Sequence, residues 1–438
     1  EFMVSIFEGA DPQRGGRPDI SVADIVDKGR ARIDEQLRGQ VALQAAMKGT
    51  LAQVYENIGR WPEALALYGE ALALERSPAL ARPLKEADLL SRQAVVMTNS
   101  NRHAEALAPA RRALALRTAR LPADSLEVAD AHNTLGLVLS RQRQFDEARR
   151  HLETALQIRT RRLGPEHLQV AGTLHNLGLL DNGSDRPAAA EARYREALRI
   201  KQAQLPPGHA SALNTVQALA AVLGAQQKFD EALPLLEQLV AGRRALNGPN
   251  SQYTALAEHE LAVVQRDTGR TEEALVNYRR SMQSTVQSTG ARSTSVAISL
   301  NNIGGAEASL GDPAAEGSFR ESLAIRRERL KPDDLAIPRA EASLARWLLG
   351  EGRSDEARPL VTQASAARQA RLAPDHGDVT DSQLLEAQLA LAEGRLAPAE
   401  AMLAALEPRQ GALRTWLRVE RWRLLAVLRL AQGRPADA

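Results

Sequence analysis

The sequence predicts an all-α solenoid of about ten helical hairpins with an N-terminal capping helix, and three observations carry that prediction. A four-residue signature returns about every 42 residues, a small residue recurs at a fixed place in each first helix, and breaker-rich loops separate the units.

The signature reads Trp61-Pro62-Glu63-Ala64, Phe145-Asp146-Glu147-Ala148, Phe229-Asp230-Glu231-Ala232, Thr271-Glu272-Glu273-Ala274 and Ser354-Asp355-Glu356-Ala357. Its Ala falls at 64, 106, 148, 190, 232, 274, 315, 357, 399 and 438, in steps of 42 except for one of 41 and a last one of 39. Two units depart from it: Asp185-Arg186-Pro187-Ala188 lacks the aromatic, and the unit at Gly311-Asp312-Pro313 is one residue short. A Pro in the first turn of a helix forfeits no hydrogen bond, so Pro187 and Pro313 fit the same design.

Each unit pairs two helices. The first carries an apolar pair around a small residue, as in Leu135, Gly136 and Leu139, and the small site recurs as Ala52, Ala94, Gly178, Ala220, Ala262, Gly304 and Ala345. The second carries the signature Ala, a bulky residue four later and often a small one three beyond, as in Ala148, Leu152, Ala155 and Ala190, Tyr194, Ala197. Small residues at a crossing let two antiparallel helices approach, and the bulky one fills the space beside them. Asp146 and Asp230 place negative charge at the starts of second helices, where the helix dipole favours it.

Loops such as Leu163-Gly164-Pro165-Glu166-His167, Pro206-Pro207-Gly208-His209, Asn247-Gly248-Pro249-Asn250, Lys331-Pro332-Asp333-Asp334 and Ala373-Pro374-Asp375-His376 divide the units. Arg161, Arg162, Arg243, Arg244, Arg327 and Arg329 precede these loops, where cations complement the carbonyl ends of helices. A nucleic-acid stripe is the rival reading of these arginines. The formal charge of +2, with 56 basic and 54 acidic residues intermixed, disfavours it, and no nucleic-acid partner is expected.

Length and composition fit an array. A chain of 438 residues would ordinarily divide into several globular domains, whereas repeats extend a core in one dimension. Aromatics make up only 3%, which favours helices packed through small side chains. With no Cys there is no disulfide, thiol nucleophile or zinc–thiolate site, and both cytoplasm and periplasm remain compatible. Six of the basic residues are Lys and the rest Arg, a bias that, with the Ala load, points to a high-GC bacterial source. No run of 18 apolar residues exists, so no direct membrane insertion is expected. Phosphate-loop, dinucleotide, zinc-protease, nucleophile-elbow and calcium-loop patterns are all missing, so neither catalysis nor a cofactor is expected. His167, His209 and His376 open first helices of different units. Equivalent sites in successive units stand about 10–20 Å apart, too far to share a metal.

The 42-residue spacing, the Phe-Asp-Glu-Ala turn and the Leu-Gly-Pro-Glu-His loop resemble the long tetratricopeptide repeats of kinesin light chains, a variety also abundant in bacterial signalling proteins. The resemblance spans about residues 40–438. It implies a right-handed superhelical array over residues 39–438, its last repeat incomplete, and a concave groove lined by first helices in which extended peptides lie. On that face stand Asn133, His175, Gln217, His259 and Asn301, three residues before each small site, with Asn176 beside them. Two turns on stand Ser140, Asn182 and Arg266. Asn, Gln and His both donate to and accept from a peptide backbone, so the column is the expected binding site for a protein or peptide ligand. A water-facing helix side with ordinary polar residues is the plain alternative.

Residues 1–38 break the period and form a junction and capping helix. Ser21 is the expected cap, and Val22, Ile25, Val26, Gly29, Ile33 and Leu37 the buried face. The order from Phe2 through Asp11-Pro12 and Gly15-Gly16-Arg17-Pro18 to Asp27-Lys28-Gly29-Arg30 resembles a junction in bacterial eukaryotic-like Ser/Thr protein kinases. There, a kinase domain and a membrane span precede the repeats. That resemblance implies a ligand-sensing region in the periplasm that regulates an upstream kinase. A free-standing adaptor, in the cytoplasm, is the alternative. At the other end, the helix expected over residues 413–430 bears Trp416, Leu417, Trp422, Leu424, Leu425, Leu428 and Leu430, too many apolar groups for one buried stripe. Its exposed remainder is expected to form a homodimer or to be covered by further sequence.

Overall fold

The computed structural model describes residues 22–407 and 415–434. Among them it contains helices, turns and loops and no strand, as consecutive antiparallel hairpins. The chain forms two compact units.

The first unit comprises Glu1–Pro207 and Asn214–Gln226. It opens with α1 (Val22–Gln36) and continues through four hairpins: α2 (Val41–Asn57) with α3 (Trp61–Glu75), α4 (Pro83–Asn99) with α5 (His103–Thr118), α6 (Leu126–Arg141) with α7 (Phe145–Leu163), and α8 (Leu168–Gly183) with α9 (Pro187–Gln204). Most of α10 (Ala210–Ala225) closes it. The second unit comprises Gly208–Leu213 and Gln227–Ala438. It holds α11 (Phe229–Asn247), then α12 (Gln252–Asp267) with α13 (Thr271–Thr289), α14 (Thr294–Ser309) with α15 (Ala314–Arg329), α16 (Ala336–Gly350) with α17 (Ser354–Gln369), α18 (Gly377–Ala392) with α19 (Leu396–Ala405), and finally α20 (Thr415–Ala431).

The crossings are as tight as the small residues predict. A Cβ on Gly136 would lie 2.7 Å from Leu152, on Gly178 2.6 Å from the Tyr194 ring and on Gly304 2.9 Å from Phe319. In each case the bulky residue of the second helix fills the notch left by the small one of the first. The signature residues Ala64, Ala106, Ala148, Ala190, Ala232, Ala274, Ala315, Ala357 and Ala399 are all fully buried. Helix starts follow the loop chemistry. Ser125, Ser251 and Ser293 accept from backbone N–H groups three residues on, while His167 and His376 use ring Nδ1 to accept from Gln169 and Asp378. His209 Nδ1 accepts likewise from the N–H of Ser211. These three loop histidines are helix caps. Pro187 occupies the first position of α9 and Pro313 caps α15, so neither departure from the signature interrupts a helix.

One periodic feature corrects the sequence reading of the basic residues. Arg117, Arg159 and Lys201 in the first unit, and Arg243, Arg326 and Arg368 in the second, are spaced by 42 residues or its multiples (one residue short across 243–326) and are all buried. Four of them donate to a backbone carbonyl ten residues on, at Glu127, Gln169, Ala336 and Asp378. Arg159 also donates to Thr173 at 2.6 Å and pairs with Asp130 at 2.5 Å, and Arg117 pairs with Asp88 at 2.9 Å. These four side chains thus tie the end of a second helix to the start of the next first helix through a charge-assisted hydrogen bond. Arg243, expected among the solvent-facing cations, belongs to this buried set and stacks on Tyr253. Arg161, Arg162, Arg327 and Arg329 are exposed as expected.

At the N-terminal end, α1 packs on the first hairpin through Ile33 and Leu37, which join Leu51, Tyr55 and Leu67 in one cluster. Asp27 bonds to Tyr55 and Arg60, and Arg30 to Glu70, so the capping role holds. Ser21, the apolar run at residues 2–7 and the linker lie outside the described residues, as do the side chains of Val22, Ile25 and Val26. At the other end, Leu417, Leu424 and Leu428 of α20 are buried against α18 and α19. Trp416, Val419, Trp422, Val427 and Leu430 are 41–60% exposed and fall within one arc of the helix.

Candidate functional site on the first helices

In the first unit the expected column is largely bonded to itself. Asn133 on α6 accepts from the Asn176 side-chain nitrogen on α8 at 2.9 Å. His175 lies 3.2 Å from the Thr215 hydroxyl and packs on Tyr194 with ring centroids 5.4 Å apart. Burial, helped by the nearby Lys201 ammonium, pushes the His175 pKa down to about 4. Thr215 in turn takes a 2.8 Å hydrogen bond from Lys201, whose own pKa burial lowers to about 8. Ser140 and Gln217 are half-buried, and Asn182 is exposed. Beside the column lies a cleft of about 400 Å³ that includes Glu56, Asp88, Ser91, Arg92 and Asp130. Its charges are matched, since Asp88 and Asp130 pair with Arg117 and Arg159.

The second unit repeats part of this ladder and then opens it. His259 on α12 lies 3.5 Å from the Asn302 amide on α14 and packs on Tyr278, again with centroids 5.4 Å apart. His175 and His259 therefore fill equivalent niches over a crossing tyrosine. Among the described residues Arg266 pairs with its neighbour Asp267, at 2.8 Å. From here a cleft of about 520 Å³ runs across three successive first helices. Arg266 lines it from α12, Asn301, Asn302 and Gly305 from α14, and Ser343, Arg346, Trp347 and Gly350 from α16, with Phe319 of α15 among its walls.

Two buried atoms of its lining residues have no hydrogen-bond partner among the described residues: Asn301 Oδ1, an acceptor, and Trp347 Nε1, a donor. Buried polar atoms are nearly always bonded, so this unmatched acceptor and donor on successive first helices single out the cleft as the candidate site. Of the expected residues, the structure brings Arg266 and Asn301 into this cleft. It places Asn133, Asn176, His175 and His259 in internal bonds or stacks instead. Sequence reasoning missed Asn302, Ser343, Arg346 and Trp347. Asn302 and Ser343 stand one residue past the column and Arg346 and Trp347 about a turn past it, and only the pairing of neighbouring repeats shows that they line the same wall. Among the described residues no group of three or more His, Asp or Glu could hold a metal ion, and no helix is long and apolar enough to cross a membrane.

Solved structures resemble the chain at low identity. Apo RapI aligns with 79% of this chain and 98% of its own at 12% identity and a TM-score of 0.60. The apo quorum sensor NprR of B. thuringiensis aligns with 87% of this chain and 96% of its own at 15% identity and a TM-score of 0.54. Kinesin-light-chain, nearly identical TPR-like repeats of Podospora anserina align with 48% of this chain and all of their own at 21% identity and a TM-score of 0.43. At these identities the likeness concerns the fold alone. No curated protein sequence matches the chain. A tetratricopeptide repeat model matches residues 127–203, 209–285 and 295–370, more than half of the chain, and a second such model matches residues 49–81. With its hairpins, small-residue crossings and 42-residue period, the chain belongs to the tetratricopeptide repeat family.

Proposed function

We propose that this chain binds an extended peptide or protein segment across its first helices, and that this binding is the ligand-sensing step of a bacterial signalling protein. The observation that carries the reading is the second-unit cleft, which runs across three successive first helices and has the unmatched Asn301 Oδ1 and Trp347 Nε1 in its walls. The fold is typical of non-catalytic interaction scaffolds, and a quorum sensor is among its structural neighbours.

Gly305 provides the test. A Cβ there meets nothing within 4 Å, so Gly305→Tyr fills the cleft without disturbing a crossing. The variant is expected to melt with the wild type and to lose partners captured from the source organism. Undiminished capture would place the binding face elsewhere.

The finer reading is that the array regulates a transmembrane Ser/Thr kinase from the periplasm. It is supported by the resemblance of residues 2–37 to a kinase junction, and the cysteine-free composition is compatible with it. A ligand would bias the kinase only as far as its affinity differs between two arrangements of the array. The full-length reading frame decides this. If no kinase and no membrane span are encoded upstream, the free adaptor takes its place. The exposed stripe on α20 supports self-association through that end. Sedimentation at rising concentration should show dimers that Trp416→Gln with Trp422→Gln abolishes, and a monomer throughout would remove this part.

A further inference from the structure

We infer that the second-unit cleft selects an acidic side chain in its peptide ligand, and that Arg346 is the residue that reads it; this rests on the peptide-binding reading above. Arg346 on α16 holds one oxygen of Asp381 at 2.6 Å, and Arg368 on α17 holds the other at 3.0 Å. Arg368 and Asp381 are 3% and 6% exposed, and Arg368 is further fixed by the Ser382 hydroxyl and the Asp378 carbonyl. Two guanidinium groups thus share one carboxylate. Arg368 is the inner member and lies closed off, so the surplus positive charge is presented by Arg346, which lines the cleft.

The neighbouring carboxylates are engaged elsewhere: Glu420 of α20, close enough to feel the Arg346 charge, pairs with Arg423 at 2.7 Å. Arg266 is matched by Asp267. Glu351 also lines the cleft but, among the described residues, forms no ion pair with Arg346. An acidic side chain would give Arg346 a second carboxylate, and a guanidinium has donors enough for both. The rest of the cleft fits a main chain better than a second charge. Asn302 offers an amide, Ser343 a hydroxyl, and Gly305 and Gly350 leave room for a backbone to approach.

The experiment uses the full chain against immobilised random heptapeptides whose central residue is fixed as Glu, Lys or Ala. The wild type should retain the Glu set about tenfold more tightly than the Ala set, the yield of one charge-assisted hydrogen bond. Arg346→Gln should erase that preference yet still bind, while Gly305→Tyr should bind none. Arg346→Gln leaves Asp381 with Arg368, so the fold is kept, and a matching melt confirms it. Binding without preference for Glu, or a preference that survives Arg346→Gln, overturns the acidic specificity and leaves peptide binding intact. Failure of every set to bind overturns the peptide reading beneath it. Self-association that Gly305→Tyr removes would make a second copy of this chain the occupant, and would overturn both.

Discussion

Taking the chain from pH 7 to pH 4 is expected to remove roughly 4 kcal/mol of stability through His132 and His175 alone. Burial pushes both rings down to about 4, with the neighbouring His151 adding to it at His132 and Lys201 at His175. The sign follows from which state takes the proton. Below the ordinary value of 6.5 the unfolded chain is protonated at these sites while the folded one is not. The stability they contribute is therefore intact above 6.5, falls as the pH passes down to about 4, and changes no further below it. Two full shifts would approach about 7 kcal/mol, and both rings keep some contact with solvent, which reduces that sum. His132 Nδ1 and His151 Nδ1 stand 2.7 Å apart, an arrangement that needs at least one neutral ring and works in the same direction. Urea unfolding of the wild type and of a His132→Phe, His175→Phe variant, at pH 7 and 4.5, isolates the effect, since titration of the carboxylates is common to both. The gap between the two proteins should shift by a few kcal/mol between the two pH values; the same gap at both would refute the assignment.

Asp381→Leu is expected to cost about 3–5 kcal/mol, because it strands Arg368 in the interior with its charge uncompensated. The Ser382 hydroxyl and Asp378 carbonyl would remain as partners but carry no net charge. Asp355 provides the contrast. It pairs with Arg358, but its side chain is 90% exposed, and Asp355→Leu should change stability by less than about 1 kcal/mol. Comparable losses from the two substitutions in thermal unfolding would show that the buried carboxylate has no special role.

The hairpins were legible because their determinants are local. A small residue such as Gly178 and a bulky one such as Tyr194 announce a crossing by spacing alone, and repetition removes the ambiguity a single unit would leave. The buried cations were hidden in plain view. Arg159 and Arg368 obey the 42-residue period as strictly as Ala148 does, but a cation near a helix C-terminus already has an ordinary explanation in the helix dipole. Only burial and the bond to a carbonyl ten residues on distinguish them from exposed neighbours such as Arg161. The candidate column is legible in the sequence only as a helix face. Sequence places Asn133, His175 and Asn301 on one face, but whether such a residue is free depends on its neighbour in the next repeat. Asn176 occupies Asn133 and Thr215 meets His175, while no described residue bonds to the oxygen of Asn301.

The most direct measurement of the central claim is amide hydrogen exchange of the full chain with and without the tightest peptide from the heptapeptide selection. If the ligand lies across the first helices, α12, α14 and α16 should gain protection while the second helices α13, α15 and α17 exchange as before. Protection confined to those second helices, or to α20, would contradict it.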